Sequence, residues 1–98
     1  MKNIQIVGVA GAGAMGRGIV QIAAQAGLTV RLFDVQPQAV IAARETLAAT
    51  WTTLANKGKI SPEAAAAALA NVHGASDISE LKDCDLVIEA RSEEHTSE

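Results

Sequence analysis

Three glycines, Gly11, Gly13 and Gly16, form a G-x-G-x-x-G inside IQIVGVAGAGAMGRGI, and an acid, Asp34, closes the later stretch TVRLFD. These residue types at this spacing have the layout of a dinucleotide-binding turn, in which each glycine has its own steric task. Gly11 permits the tight turn from strand to helix, and Gly13 lets the backbone approach a pyrophosphate. Gly16 lets the helix pack closely on the strand. The helix that starts there aims free N–H groups and its positive dipole end at phosphate oxygens. Ala14 and Met15, between the second and third glycines, and Val35, just after the acid, complete the candidate cofactor contacts. A lone G-x-G-x-x-G is weak evidence. Here an apolar strand precedes it, a helix follows, and an acid stands roughly 20 residues on, as the fingerprint requires.

Asp34 is the specificity residue. At the tip of a second strand its carboxylate can accept hydrogen bonds from both adenosine ribose hydroxyls. The same charge repels an additional 2′-phosphate, and Val35 and Gln36 offer no cation to receive one. Arg31 stands three residues earlier, within the strand, and is less well aimed. NAD(H) is therefore expected over NADP(H). FAD-binding turns are similar but usually end the second strand in glutamate, so aspartate disfavours FAD without excluding it.

The elements that must hold these residues read as an α/β unit. Residues 3–10 form a short apolar strand suited to burial on both faces of a parallel sheet. A helix is expected over 14–26, with Ile19, Ile22, Ala23 and Ala26 on its apolar side and Gly27 as its stop. Gly18, inside it, implies close packing against a strand or a cofactor. Residues 29–33 make the second strand. Pro37 suits the first turn of a second helix reaching Asn56, with Val40, Ile41, Leu47, Trp51 and Leu54 inward and Gly58 after its end. Ser61, Pro62 and Glu63 start a further, alanine-rich helix through Leu69. A short strand at 71–75, a short helix at 79–82 and a buried strand at 85–90 follow. This order predicts a Rossmann-type doubly wound parallel sheet, stopping after its fourth strand, with a helical hairpin between strands 2 and 3.

Ninety-eight residues, 49% hydrophobic, suffice for about one small domain and leave no room for a separate substrate domain. A net charge of −3 with scattered basic residues argues against a nucleic-acid surface. A single cysteine, Cys84, excludes an intrachain disulfide. No run approaches the ~20 apolar residues of a membrane span. Lys2 before an apolar stretch could mimic a signal peptide, but Gln5 and the glycines interrupt it. A cytoplasmic protein is expected.

The last eight residues, RSEEHTSE, resemble the translation of a short-read sequencing adapter, and the composition changes abruptly at Arg91. Residues 91–98 are accordingly taken as a non-native tail and 1–90 as a partial NAD-binding domain; the alternative is a genuine polar C-terminus. Without the tail, seven basic and eight acidic residues remain, a net charge of −1.

VAGAGAMGRGIVQIAAQAGLTVRLFDVQPQAV, then LANKGKIS, then DCDLVIEA, resembles the N-terminal portion of 3-hydroxyacyl-CoA dehydrogenases, particularly the bacterial 3-hydroxybutyryl-CoA and 3-hydroxyadipyl-CoA types. The resemblance covers essentially all of 1–90, and the hairpin carrying KGKIS is more specific than the glycine turn. It implies NAD over Gly11, Gly13, Gly16 and Asp34, with the Ala90 backbone lining the nicotinamide side. It places a hydroxyl and a lysine that touch the coenzyme A part of an acyl-CoA substrate at Thr50 and Lys57. Lys57 could equally be a solvated lysine near a helix C-terminus, and Thr50 a surface threonine. The family's further cofactor contact falls on Glu93, inside the suspected tail, and is not credited. The implied reaction is reversible oxidation of 3-hydroxyacyl-CoA to 3-ketoacyl-CoA. Its catalytic His–Glu pair, with an auxiliary Ser and Asn, follows the fourth strand, so no catalytic residue is assigned in this chain. The implied parent is a homodimer. A stand-alone nucleotide-binding module without catalysis remains the other reading.

Other reactive residues read as ordinary. His73 is expected exposed at a strand edge, Cys84 behaves as a small hydrophobe, and Trp51 packs in the hairpin. His95 falls in the suspected tail. No paired histidines or cysteines suggest a metal site.

Overall fold

A computed structural model describes residues 3–90. The tail at 91–98, with Glu93 and His95, lies outside the described residues. Four strands alternate with helices: β1 Ile6–Ala10, α1 Ala14–Gln25, β2 Thr29–Phe33, α2 Pro37–Asn56, α3 Pro62–Ala70, β3 Val72–Gly74 and β4 Leu86–Glu89. A short 3-10 helix, Ile78–Leu81, precedes β4. All strand pairs are parallel, in the order β3-β2-β1-β4. The doubly wound sheet with a hairpin between β2 and β3 is thus present.

Local chemistry explains the element ends. α1 stops before Gly27, whose φ of +91° ends the helix in the left-handed region. Pro37 opens α2, where its missing N–H costs nothing. At α3 the Ser61 hydroxyl accepts the Ala64 N–H at 3.0 Å, with Pro62 and Glu63 in the first turn. Asp77 caps the 3-10 helix by accepting the Ser79 N–H at 3.0 Å.

Side chains alternate across the sheet, so its two faces build different layers. Val7, Val9, Val30 and Leu32 form one face and pack with Val20, Ala24, Ala43, Leu47, Trp51 and Ala68 of the three helices. On the other face Ala10 meets Ala75 and Leu81, with Phe33 and Cys84 against them. The 3-10 segment lies close on β1 there: a Cβ built on Gly8 would stand 2.9 Å from Cys84 Sγ and 3.2 Å from Leu81 Cδ2. Cys84 therefore fills space as a half-buried hydrophobe. Trp51 is fully buried and donates its Nε1–H to Gln25 Oε1 at 2.8 Å, tying α2 to α1.

Four expectations are corrected. On α1 the inward residues are Gly16, Val20, Ala23 and Ala24, while Ile22 is 73% exposed and Ala26 is exposed. On α2 Ala43 is inward and Ile41 is 60% exposed. Both helices carry apolar residues on several sides, so sequence periodicity alone left their rotation open. Gly18 faces open space, with nothing within 4 Å of a built Cβ among the described residues, so of the two partners expected for it the strand is ruled out. Finally, β4 is not buried on both faces: Leu86 is 42% and Val87 46% exposed. Among the described residues it pairs with β1 alone, and no helix covers it as α1 covers β1.

Candidate functional site

In an open parallel sheet, ligands bind beyond the C-terminal strand ends where the strand order reverses. With the order β3-β2-β1-β4, that point lies between β1 and β4. The glycine turn leaves β1 there. Gly11 has φ +122°, a conformation that L side chains rarely adopt, and donates its N–H to the Phe33 carbonyl at 2.7 Å. Ala90, buried just after β4, donates its N–H to the Ala10 carbonyl at 2.8 Å. Its Cβ would lie 3.5 Å from a Cβ built on Gly16.

Gly16 does allow close packing, but chiefly against the turn itself. A Cβ there would run into the Gly11 carbonyl, passing 2.9 Å from its carbon. A Cβ built on Gly13, by contrast, meets nothing within 4 Å among the described residues, which leaves space there for a ligand.

The start of α1 is bare. Gly13 is its N-cap, no side chain caps it, and its first turn holds no acid. The first N–H groups of a helix have no intrahelical partner, and α3 and the 3-10 helix satisfy theirs with Ser61 and Asp77. α2 also lacks a side-chain cap, but Pro37 removes one donor there. An uncapped helix end beneath an open glycine fits an anionic pyrophosphate.

Asp34 stands half-buried at the end of β2. Its Oδ2 accepts the Ala12 N–H at 2.8 Å and its Oδ1 accepts the Gln36 N–H at 2.9 Å. Each carboxylate oxygen keeps a lone pair for a ribose hydroxyl. Arg31 donates through Nη1 to the Glu80 carbonyl at 2.9 Å, which occupies the nearest cation of the strand. Beside Asp34 opens a cleft of about 260 Å³ lined by Ala10, Gly11, Phe33, Asp34, Val35 and Ile78. Its walls are mostly apolar with one carboxylate, a shape suited to a flat heterocycle on a ribose. Phe33 and Ile78 escaped the sequence reading. Ile78 is an apolar residue after a capping acid, and nothing local shows that its helix closes over the β1 and β2 ends.

The structure thus gathers Gly11, Gly13, Ala14, Met15, Gly16, Asp34, Val35 and Ala90 at one edge of the sheet. It does not bring Thr50 and Lys57 there. α2 leaves that edge at Pro37, and twenty residues at 1.5 Å each carry Lys57 roughly 30 Å away. Thr50 is half-buried on α2, and Lys57 is exposed at its C-cap. His73 is exposed on β3, the outermost strand beside β2.

Fold and site together define a dinucleotide-binding α/β domain. Residues 6–97 match the family model described as 3-hydroxyacyl-CoA dehydrogenase, NAD binding domain, so the match runs past Ala90 into the tail. The chain belongs to this family. It is 38% identical over 93 residues to the 3-hydroxyadipyl-CoA dehydrogenase of Escherichia coli K12, covering 95% of this chain and 20% of that protein. It is 39% identical over 90 residues to the 3-hydroxybutyryl-CoA dehydrogenase of Bradyrhizobium diazoefficiens, covering 92% and 31%. The crystal structure of the 3-hydroxybutyryl-CoA dehydrogenase of Escherichia coli K12 superposes with a TM-score of 0.90 at 37% identity, over 94% of this chain and 20% of that one. The chain therefore spans about a fifth to a third of the length of these curated relatives.

Proposed function

We propose that this chain is the cofactor-holding part of an enzyme that reversibly oxidises 3-hydroxyacyl-CoA to 3-ketoacyl-CoA, with NAD as hydride acceptor. The observation that carries the proposal is that the bare α1 N-terminus, Asp34 and Ala90 each meet the glycine turn at the C-terminal edge of the sheet. The pyrophosphate would lie over Gly13, against the N–H groups of Ala14, Met15 and Gly16. Asp34 would hold the adenosine ribose, and the adenine would enter the cleft between Val35 and Ile78. Ala90 would line the nicotinamide side. Hydride acceptance is the chemistry NAD supplies when bound; this chain's own residues bind and orient it.

The substrate class follows the relatives, whose names specify 3-hydroxybutyryl-CoA and 3-hydroxyadipyl-CoA. Lys57 and Lys59, both exposed at the hairpin tip, would offer point charges to the coenzyme A phosphates, with Thr50 along the same helix. This reading places the His–Glu pair of the reaction beyond β4, in a cytoplasmic homodimer, and takes 91–98 as foreign to the natural protein.

Three measurements test it. NAD(H) should bind the chain more tightly than NADP(H); the reverse order overturns the assignment of Asp34. Residues 1–98 should give no turnover of acetoacetyl-CoA with NADH, and turnover abolished by Asp34→Ala would show a catalytic group within the chain. Sequencing the source locus past Ala90 tests the tail: a continuation with a downstream His–Glu pair is expected, and RSEEHTSE followed by a natural stop codon overturns it.

A further inference from the structure

Asp34 does something before any ligand arrives. Two consecutive turn N–H groups are already engaged by the tip of β2: Gly11 N–H by the Phe33 carbonyl at 2.7 Å, and Ala12 N–H by Asp34 Oδ2 at 2.8 Å. The other carboxylate oxygen is steadied by the Gln36 N–H at 2.9 Å, so the side chain is braced from both sides. Among the described residues no such partner steadies Gly13, the following residue, which is exposed and begins α1 without a side-chain cap.

We infer that Asp34 is the organiser of the phosphate turn as well as a ribose ligand: by clamping the Ala12 N–H it fixes the turn so that the N–H groups from Gly13 onward face the pyrophosphate. The proposal rests on the nucleotide reading above and deepens it. A hydrogen bond to a charged acceptor is among the stronger ones, and this one joins segments 22 residues apart. Gly11 and Gly13 make the turn conformationally free, and a free turn must be ordered when the phosphate binds. Preorganisation by Asp34 removes that cost in advance. The effect opposes simple electrostatics, since a carboxylate near the phosphates on its own disfavours them.

That opposition gives the test. ADP and 2′,3′-dideoxy-ADP are titrated into the full chain and into Asp34→Ala and Asp34→Asn, and amide hydrogen exchange is followed without ligand. Dideoxy-ADP lacks the hydroxyls that Asp34 would hold, so any loss of its affinity acts through the turn. The expected result for Asp34→Ala is roughly tenfold weaker dideoxy-ADP binding, the size of one charge-assisted hydrogen bond. Exchange at Ala12 should quicken by a similar factor while the β1 amides stay protected. Asp34→Asn keeps one acceptor and should lie between. If the alanine variant loses β1 protection altogether, the asparagine variant decides. Unchanged or tighter dideoxy-ADP binding, or unchanged exchange at Ala12, overturns the proposal. If the parent chain binds ADP no more tightly than dideoxy-ADP, the ribose assignment fails, and the clamp is still read from dideoxy-ADP and exchange. If it binds neither, the nucleotide reading fails and the exchange rates alone decide the clamp.

Discussion

A Cβ on Gly16 would drive into the carbonyl of Gly11, so the third glycine of the motif exists to make room for the first. Two effects compete in Gly16→Ala. Alanine gains about 1 kcal/mol in a helix interior, whereas overpacking costs about 1–3 kcal/mol. The obstacle here is backbone, which cannot rotate aside as a side chain can, so overpacking wins. Gly16→Ala should unfold at lower urea and bind NADH more weakly. A variant as stable as the parent would contradict the contact.

Gly13→Ala should separate stability from binding. Gly13 has φ −75°, which any residue adopts, and its Cβ position meets nothing within 4 Å. Its unfolding free energy should fall by no more than about 1 kcal/mol, the difference between glycine and alanine at an N-cap. A methyl group in the space left for the pyrophosphate should nonetheless weaken NADH binding, measured by fluorescence titration. Unaltered affinity would place the phosphates elsewhere.

Trp51 is the largest fully buried side chain, and its indole N–H is satisfied by Gln25. Trp51→Phe should cost about 1 kcal/mol for the lost hydrogen bond, beyond a small repacking term. Trp51→Ala should cost about 3–5 kcal/mol, enough to unfold much of a small domain. Urea denaturation followed by circular dichroism distinguishes the two, and equal losses would show that the hydrogen bond outweighs the packing.

Burial pushes the Cys84 thiol above its ordinary value, against a weaker opposing pull from Arg31. A raised folded-state pKa means that folding favours the protonated thiol. The stabilisation is complete below the pKa of the unfolded thiol, about 8.5, and is lost as pH rises through the folded value. Cys84→Ala should therefore flatten the alkaline limb of the stability profile. Iodoacetamide should modify Cys84 more slowly at pH 8 than it does a free cysteine peptide; an equal rate would refute the shift.

At Asp77 the sign is opposite. Hydrogen bonds from the Ser79 hydroxyl and backbone N–H hold its carboxyl below the usual value, so its contribution is present above the unfolded carboxylate pKa and fades as pH falls through the lower folded one. The 3-10 helix should loosen on acidification, and Asp77→Asn should remove that pH dependence in the exchange of Ser79 and Glu80 amides.

Most of the architecture was legible in residue order because its signals are local. Glycines at fixed offsets, Pro37 and Ser61 at helix starts, Gly27 at a helix stop and short apolar runs each act within a few residues. The same holds for the glycine turn and for Asp34 as its partner, since strand, turn and helix are contiguous. Where local signals are ambiguous, only packing decides. Ile22 and Ile41 look like core residues, yet the sheet lies on another side of each helix. β4 reads as a doubly buried strand, yet burial depends on which elements cover it. The hydrogen bond from Ala12 to Asp34 and the cleft shared by Ile78 and Val35 depend on contacts between segments far apart in sequence, as does the placing of Lys57 roughly 30 Å along α2 from Pro37. Residue order alone puts a strand, a glycine turn, a helix and an acid in the succession a dinucleotide needs. That the acid also holds the turn follows from packing, because the contact exists only once β2 is paired beside β1.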